Sequence, residues 1–293
     1  MRGLLDGVRV VGERPRLLFV HAHPDDETLT TGVALAHHAA RGDDVHVLTC
    51  TLGEEGEVIP GHLAHLEGAP GDPLAAHRRD ELARAVAALG ATLHLLGAAG
   101  PDGEPAFRDS GMAGTPAATH PRAFAGVALA TAAAAVGDVL ERVRPDVVVT
   151  YDAGGGYGHP DHVRTHAATR AAVAARPAAA RPVLYGTHTP LTWATEDRRW
   201  LAAHVPADAG WVVPGPDSPY QSGVVPDEVV THAVVDAEAV PAQERALRVH
   251  ETQVVVGDGW YALSNHVVFR LSGREGYARL DPVTGRPIPE GAP

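Results

Sequence analysis

The chain is predicted to adopt an α/β fold: a Rossmann-like, mostly parallel sheet with helices on both faces, and a smaller C-terminal α+β cap. Three observations predict it. Short β-branched apolar runs alternate with stretches of helical periodicity as far as residue 190, the order that builds a parallel sheet covered on both sides. Two of those runs stop abruptly in clusters of His, Pro and Asp, where an open α/β sheet places its ligands. After residue 190 the alternation ends, and 191–228 holds three of the four tryptophans and several prolines. The expected division is 1–190 for the α/β domain that carries those clusters and 191–293 for a cap packed on it.

Residues 16–20 read as a buried strand, too short and too β-branched at the end for a helix. Two histidines, two aspartates and a glutamate then crowd into positions 21–27. Pro24 biases His23 toward an extended conformation, so the strand can carry His23 to its end. Asp25 or Asp26 can cap the helix that begins near Glu27 and runs to residue 40, with Gly42 as its stop. A second strand over 45–50 leads into the acidic loop 52–57. A helix over 75–89 sets Leu82, Val86 and Leu89 on one face, and 92–96 is a third strand. The loop 97–123 is long enough to expect a functional role. A helix over 125–143, a strand over 147–151, the glycines of 154–158 and a helix from 159 to 175 follow. The fifth strand spans 182–187. Beyond the irregular lid or cap of 191–228, the reading is a strand at 229–235, a helix at 240–250, a strand at 267–271 and a frayed tail from Pro282.

Composition narrows the function. A formal net charge of −12, with arginine as the sole basic residue type, argues against a basic nucleic-acid surface and against docking on an anionic membrane. Cys50 is the single cysteine, so no internal disulfide can form and a reducing cytoplasm is expected. Residues 1–15 lack an apolar signal core, and the Ala-rich run at 127–136 is too short to span a bilayer.

The two polar clusters share one architecture: strand, break, His-Pro-Asp, helix. The first supplies His23, Asp25 and Asp26; the second supplies His159, Asp161 and His162. Two imidazoles and a carboxylate with an open position suit a catalytic Zn²⁺ site, and Fe²⁺ fits such ligands nearly as well. A hydrolase also needs a carboxylate base and a donor for the developing oxyanion, and spare candidates for both lie beside the ligands.

His23-Pro24-Asp25-Asp26-Glu27 together with His159-Pro160-Asp161-His162 resembles the zinc-dependent N-acetylglucosamine deacetylases of the LmbE/PIG-L superfamily. Further segments match: 49–57, Arg108-Asp109-Ser110-Gly111-Met112, 252–256 and Ala262-Leu263-Ser264-Asn265. These resemble the actinobacterial deacetylases of mycothiol biosynthesis, which act on N-acetylglucosaminyl-inositol. The resemblance implies His23, Asp26 and His162 as metal ligands and Asp25 as general base. It implies that His159 stabilises the tetrahedral intermediate or protonates the leaving amine, with Asp161 orienting an imidazole. Tyr157 would reach the amide oxygen, and Arg78 and Asp109 would hold sugar and inositol hydroxyls. The small-molecule partner is then a sugar-inositol.

Plainer roles compete at several positions. Tyr157 could be a packing aromatic, Arg78 a solvated helix charge and Asp109 a turn residue. Glu54 and Glu55 read as loop structure, and His37, His38, His62 and His65 as surface histidines. Cys50 reads as a strand-packing thiol. Three rival functions remain in view: an amidase of mycothiol S-conjugates using the same site, an iron oxygenase with Asp25 as ligand, and a dinucleotide-binding module. The oxygenase calls for an all-β barrel, and the dinucleotide module for a glycine-rich turn where this chain is acidic.

Overall fold

The structure is a computed structural model that describes residues 1–98, 103–206 and 210–289. Its elements in chain order are β1 (Arg16–His21), α1 (Asp26–Ala40), β2 (Asp44–Thr49), α2 (Pro73–Ala88), β3 (Thr92–Leu95), α3 (Leu129–Val143) and β4 (Val147–Thr150). The one-turn α4 (Gly155–Gly158), α5 (Pro160–Ala175), β5 (Val183–Pro190), α6 (Leu191–His204), β6 (Val224–Val225) and β7 (His232–Val235) follow. The chain ends through α7 (Val240–Val249), β8 (Val255–Val256), β9 (Trp260–Ala262), β10 (Val268–Arg270) and β11 (Arg274–Leu280).

The main sheet runs β3-β2-β1-β4-β5-β11-β7, with β6 pairing onto the end of β5. Its first five strands are parallel, with Leu17 of β1 opposite both Val45 and Val147. Side chains alternate across the sheet, as strand geometry requires. Leu17 and Phe19 join Val33, Leu35, Leu82 and Val86 in one layer. Leu18 and Val20 join Val136, Leu140, Ala168 and Val173 in the other. Helices α1, α2 and α7 pack together, and α3 packs on α5. From β1 the chain first builds outward through β2 and β3, then returns to lay β4 on the other side of β1. That reversal opens a crevice at the carboxyl ends of β1 and β4, the place where this class of sheet binds ligands. Both His-Pro-Asp turns leave from there.

The chain beyond residue 190 departs from expectation. Strand β11 lies antiparallel between β5 and β7, so residues past 190 complete the main sheet instead of forming only a cap. What stands apart is the three-stranded sheet β10-β9-β8 with α6, whose Leu201 packs with Trp200, Trp211, Trp260 and Val268. The sequence concealed α6 because Leu201 is its single fully buried residue, too thin a stripe to show helical periodicity. β11 was hidden because Arg274, Glu275 and Arg279 interrupt its apolar positions. Helix α3 starts at Leu129, after a 3₁₀ turn at Phe124–Gly126. The tail past Pro282 is held, not frayed: the Asp281 carboxylate accepts from the backbone N–H of Val283 and Thr284, and Arg170 donates to Val283 O at 2.6 Å. Residues 290–293 of that tail, and 99–102 of the long loop, lie outside the described residues. Among the described residues no helix is long and apolar enough to cross a membrane.

Candidate metal centre

Both turns converge on one point. His23 Nδ1, Asp26 Oδ2 and His162 Nε2 form a triangle with edges of 3.4, 3.3 and 3.3 Å. Ligands about 2.0–2.2 Å from a tetrahedral zinc ion stand roughly 3.3–3.6 Å from one another, so the donor set fits that ion. The same residues are also held by the protein. His162 Nδ1 meets Gly155 O at 3.2 Å, which leaves Nε2 as the lone-pair nitrogen. Gly155, at φ 65°, can sit there because it lacks a Cβ; one would fall 2.6 Å from that of His162. Asp26 Oδ2 accepts Tyr151 Oη–H and the His23 backbone N–H, and the Tyr151 ring stacks on His162 at 4.3 Å.

His23 Nε2 faces Asp161 Oδ2 at 3.3 Å and Asp109 Oδ1 at 3.4 Å. Burial disfavours a charged His23, yet Asp109, Asp161 and Asp26 outweigh it and raise its pKa well above the ordinary value. A pocket with that many buried carboxylates favours a cation, and a divalent ion meets the demand. Asp161 in turn accepts from the Ser110 N–H at 2.8 Å and Oγ–H at 2.6 Å. It therefore couples the first turn to the loop that carries Asp109.

His159 caps α5: its Nδ1 accepts the Asp161 backbone N–H at 3.2 Å, which puts the ring proton on Nε2. Burial, then His23 and His162, lower its pKa to about 4, so it is a neutral donor. Asp25 carries its carboxylate 3.3 Å from Arg78 Nη2. Burial pushes the Asp25 carboxyl up to about 7 against the pull of Arg78, with Asp26 adding to the rise. Tyr157 is half exposed on the one-turn α4, its ring 5.0 Å from that of His162 and 6.1 Å from that of His159.

The structure thus brings Asp25, Tyr157, His159 and Asp161 together around His23, Asp26 and His162. It treats Arg78 and Asp109 differently from expectation. Arg78 is buried, donating from Nη1 to Gly53 O and from Nη2 to Pro24 O, both at 2.6 Å. Asp109 is also buried, taking the Gly111 N–H at 2.8 Å. Burial alone would raise its pKa, but His23 beside it drives it far below the carboxylate range. Neither expected capping aspartate caps α1: Asp25 occupies the cap position without a side-chain cap bond. Glu54 accepts the Asp109 N–H at 2.9 Å, and Glu55 pairs with Arg108, the loop-holding role expected of them. Cys50 is a buried thiol that burial pushes up to about 12. His62 and His65 are exposed, but His38 is buried against Asp43 at 2.8 Å and His37 bonds Asp236, because α1 packs its last turn onto neighbouring loops. Sequence reasoning gave no role to Tyr151, Ser110, Glu27 or His250. Ser110 lay within a matched segment, and Tyr151 at the end of a strand read correctly. His250 sits alone in the sequence, and nothing there linked it to Glu27.

A sheet with an ion-binding crevice at its switch point defines a metal-dependent enzyme of the α/β class. The chain belongs to the PIG-L family, described as GlcNAc-PI de-N-acetylase, whose profile matches residues 18–173. It is 47% identical over 262 residues to the 1D-myo-inositol 2-acetamido-2-deoxy-alpha-D-glucopyranoside deacetylase of Rhodococcus erythropolis, covering 86% of each chain. It is 46% identical over 281 residues to the protein of the same description in Mycolicibacterium smegmatis, covering 93% of this chain and 92% of that one. A deacetylase of teicoplanin biosynthesis superposes with a TM-score of 0.52 at 20% identity, covering 91% of this chain and 99% of its own. The A40926 pseudoaglycone deacetylase gives the same TM-score of 0.52 at 20% identity over 82% of this chain and 83% of its own. At that identity these two bear on the fold alone.

Proposed function

We propose that the chain is a zinc-dependent deacetylase. Its reaction removes the acetyl group of 1D-myo-inositol 2-acetamido-2-deoxy-alpha-D-glucopyranoside, giving the free glucosaminyl-inositol and acetate, a step of mycothiol biosynthesis. The observation that carries this reading is the triangle of His23 Nδ1, Asp26 Oδ2 and His162 Nε2, each edge 3.3–3.4 Å, with Asp25 and His159 beside it. The substrate follows from relatives of that description matching nine tenths of the chain at 46% identity.

His23, Asp26 and His162 would hold the zinc ion. When bound, zinc supplies Lewis acidity, acidifying water and polarising a carbonyl. Asp25 Oδ takes the proton of the attacking water, the role its raised pKa suits at neutral pH. His159, neutral with its Nδ1 already engaged, donates its Nε2–H as a hydrogen bond to the oxygen on which negative charge develops, and the proton for the departing nitrogen is the one Asp25 took from water. Tyr157 Oη–H, on its glycine-hinged turn, is a second donor to that oxygen. As the C–N bond breaks, the amine takes a proton and acetate keeps the water oxygen. Asp161 fixes the His23 ring through Nε2, and Asp109, held by Glu54 and Gly111, faces the same ring. Both Arg78 and Asp109 shape the pocket wall from its buried side, and any hydroxyl they bind must compete with the protein groups they already hold.

The oxygenase reading fails on the fold, which is α/β and not an all-β barrel. A cytoplasmic seat is proposed on the strength of the lone buried Cys50. The test is direct: purified, zinc-loaded protein receives the N-acetylglucosaminyl-inositol and a mycothiol S-conjugate in parallel, with acetate and free amine quantified. Acetate release from the first at least tenfold faster than cleavage of the second is expected. Preferential cleavage of the conjugate makes the chain an amidase, and no cleavage of either removes the assignment.

A further inference from the structure

Asp25 stands at φ 98°, ψ −37°, a conformation that is unfavourable for any residue with a side chain. Capping does not account for it, because the Asp25 side chain makes no cap bond to α1. The peptide group that joins Pro24 to Asp25 is instead gripped at both ends by buried charged side chains. On its oxygen, Arg78 Nη2 donates at 2.6 Å; on its nitrogen, the Asp25 N–H donates to Glu27 Oε2 at 3.0 Å. The orientation of that peptide plane relative to Cα is what φ of Asp25 measures, so the two grips set the angle.

Each grip is itself anchored. Arg78 Nη1 holds Gly53 O at 2.6 Å, and at Gly56 a Cβ would lie 2.6 Å from the same nitrogen, so a glycine keeps the guanidinium's place open. Glu27 Oε1 accepts from His250 Nε2 at 2.8 Å and from the Thr28 hydroxyl, and both Glu27 and His250 are 0% exposed. Glu27, Arg78 and His250 come from α1, α2 and the turn after α7, three segments that meet only in the folded chain. A helix beginning with His-Pro-Asp does not need such an arrangement. At the second turn the cap residue His159 sits at φ −59° with its own side-chain bond to Asp161 N.

We propose that Arg78, Glu27 and His250 form a clamp of positioning residues that holds the Pro24–Asp25 peptide in its strained orientation and so aims the Asp25 carboxylate at the reaction centre. This rests on the reading of Asp25 as base. The clamp explains why Arg78 is buried against backbone oxygens, and it gives His250 a part in turnover without contact with substrate. Asp26, one residue further on, receives none of the clamp's bonds; its carboxylate is held by Tyr151 and the His23 N–H. Loosening the clamp therefore disturbs the base before it disturbs the metal.

The experiment compares His250→Leu, His250→Gln, Glu27→Gln and Asp25→Asn as purified, zinc-loaded proteins, measuring kcat, KM, bound zinc and circular dichroism. His250→Leu strips Glu27 of its buried donor; kcat is expected to fall roughly ten- to a hundredfold, with KM and zinc content unchanged. His250→Gln places an amide N–H near the position of Nε2 and is expected to recover kcat to within about fivefold of wild type. Should His250→Leu not fold, Glu27→Gln reads the same effect, since its single carbonyl oxygen cannot serve Asp25 N–H, His250 and Thr28 together. Wild-type kcat in folded His250→Leu or Glu27→Gln, with Asp25→Asn inactive, overturns the clamp and leaves the base assignment standing. Loss of zinc in parallel with kcat also overturns it, because the residues then support the ligand Asp26. Near-wild-type turnover by Asp25→Asn removes the base assignment and the clamp together.

Discussion

The two His-Pro-Asp turns are nearly the same in sequence and opposite in physical character. The second is an ordinary helix start: His159 caps, Pro160 takes the first helical position where its missing N–H costs nothing, and Asp161 and His162 ride the first turn of α5. The first bends its chain at Asp25 to φ 98° and leaves α1 without a side-chain cap. The helices behind them are held differently. Helix α5 is tied down through its own side chains, Asp161 to Ser110, Arg164 to Ala125 O and Arg170 to Val283 O. Helix α1 is gripped by side chains from the far end of the chain: Gln243 Nε2 donates to Thr28 O at 3.0 Å, and Glu275 accepts the N–H groups of Val33 and Ala34 at 2.8 and 2.9 Å. A helix start presents imidazoles at its first turn with no strain. Presenting two adjacent carboxylates in different directions, as the proposed roles of Asp26 and Asp25 ask, requires a bent backbone and outside support.

The sharpest way to break this contrast is to separate the neighbours Asp25 and Asp26. Asp25→Asn is expected to lower kcat by about 10²–10⁴-fold, the usual weight of a general base, with bound zinc unchanged. Asp26→Ala is expected to lose zinc at low metal concentration and to regain part of its activity when zinc is added in excess. Metal analysis and kcat on the two proteins decide it. Equal loss of zinc in both would mean the two carboxylates share one role, and the strained turn would have no purpose.

A smaller effect tests the unstrained turn. Gly155 lies at φ 65°, with its oxygen on His162 Nδ1 and no room for a Cβ, which would sit 2.6 Å from the His162 Cβ. Gly155→Ala is expected to push His162 out of line, weakening zinc affinity about tenfold and costing about 1–3 kcal/mol of stability. Competition with a chelator reads the first and denaturant unfolding the second. If the metal affinity stays put, the carbonyl is not what orients His162.

Much of this was legible in the sequence, for identifiable reasons. The central strands β1 and β4 announced themselves as apolar runs because they are buried on both faces, as Val147–Thr150 shows at every position. The metal-binding turns were legible because both lie at strand ends and repeat His-Pro-Asp. Strand β11 was not, since its charged residues meet partners the sequence does not reveal: Arg274 with Glu196 and Asp197, Glu275 with α1. Pairing across long separations also hid Glu27 with His250, 223 positions apart. Arg78 was assigned to sugar hydroxyls through the family resemblance, and nothing in the sequence marked that its donors also hold Gly53 O and Pro24 O. Buried polar bonds between distant segments are what periodicity cannot report.

Glu275 gives the mildest probe of the contrast, because it supports α1 far from the reacting atoms. Burial pushes its carboxyl up from 4.5 to about 7, against the hydrogen bonds from Tyr277 and from the N–H groups of Ala34 and Val33. The folded chain therefore holds this proton more tightly than the unfolded chain between those two values. Unfolding releases it there, so this group's contribution to stability falls as pH rises from about 4.5 to 7. The full swing is at most about 3.5 kcal/mol, from about 1.36 kcal/mol per unit. Glu275→Gln is neutral throughout, so it is expected to look less destabilising at pH 8 than at pH 5, while kcat measured on the zinc-loaded protein stays near wild type. Denaturant midpoints of both proteins at the two pH values check the difference. If the gap between them is the same at pH 5 and pH 8, Glu275 is ionised in the fold across that range. It would then hold α1 as a charged acceptor, and the first turn's helix would depend on an anion at its middle as well as at its start.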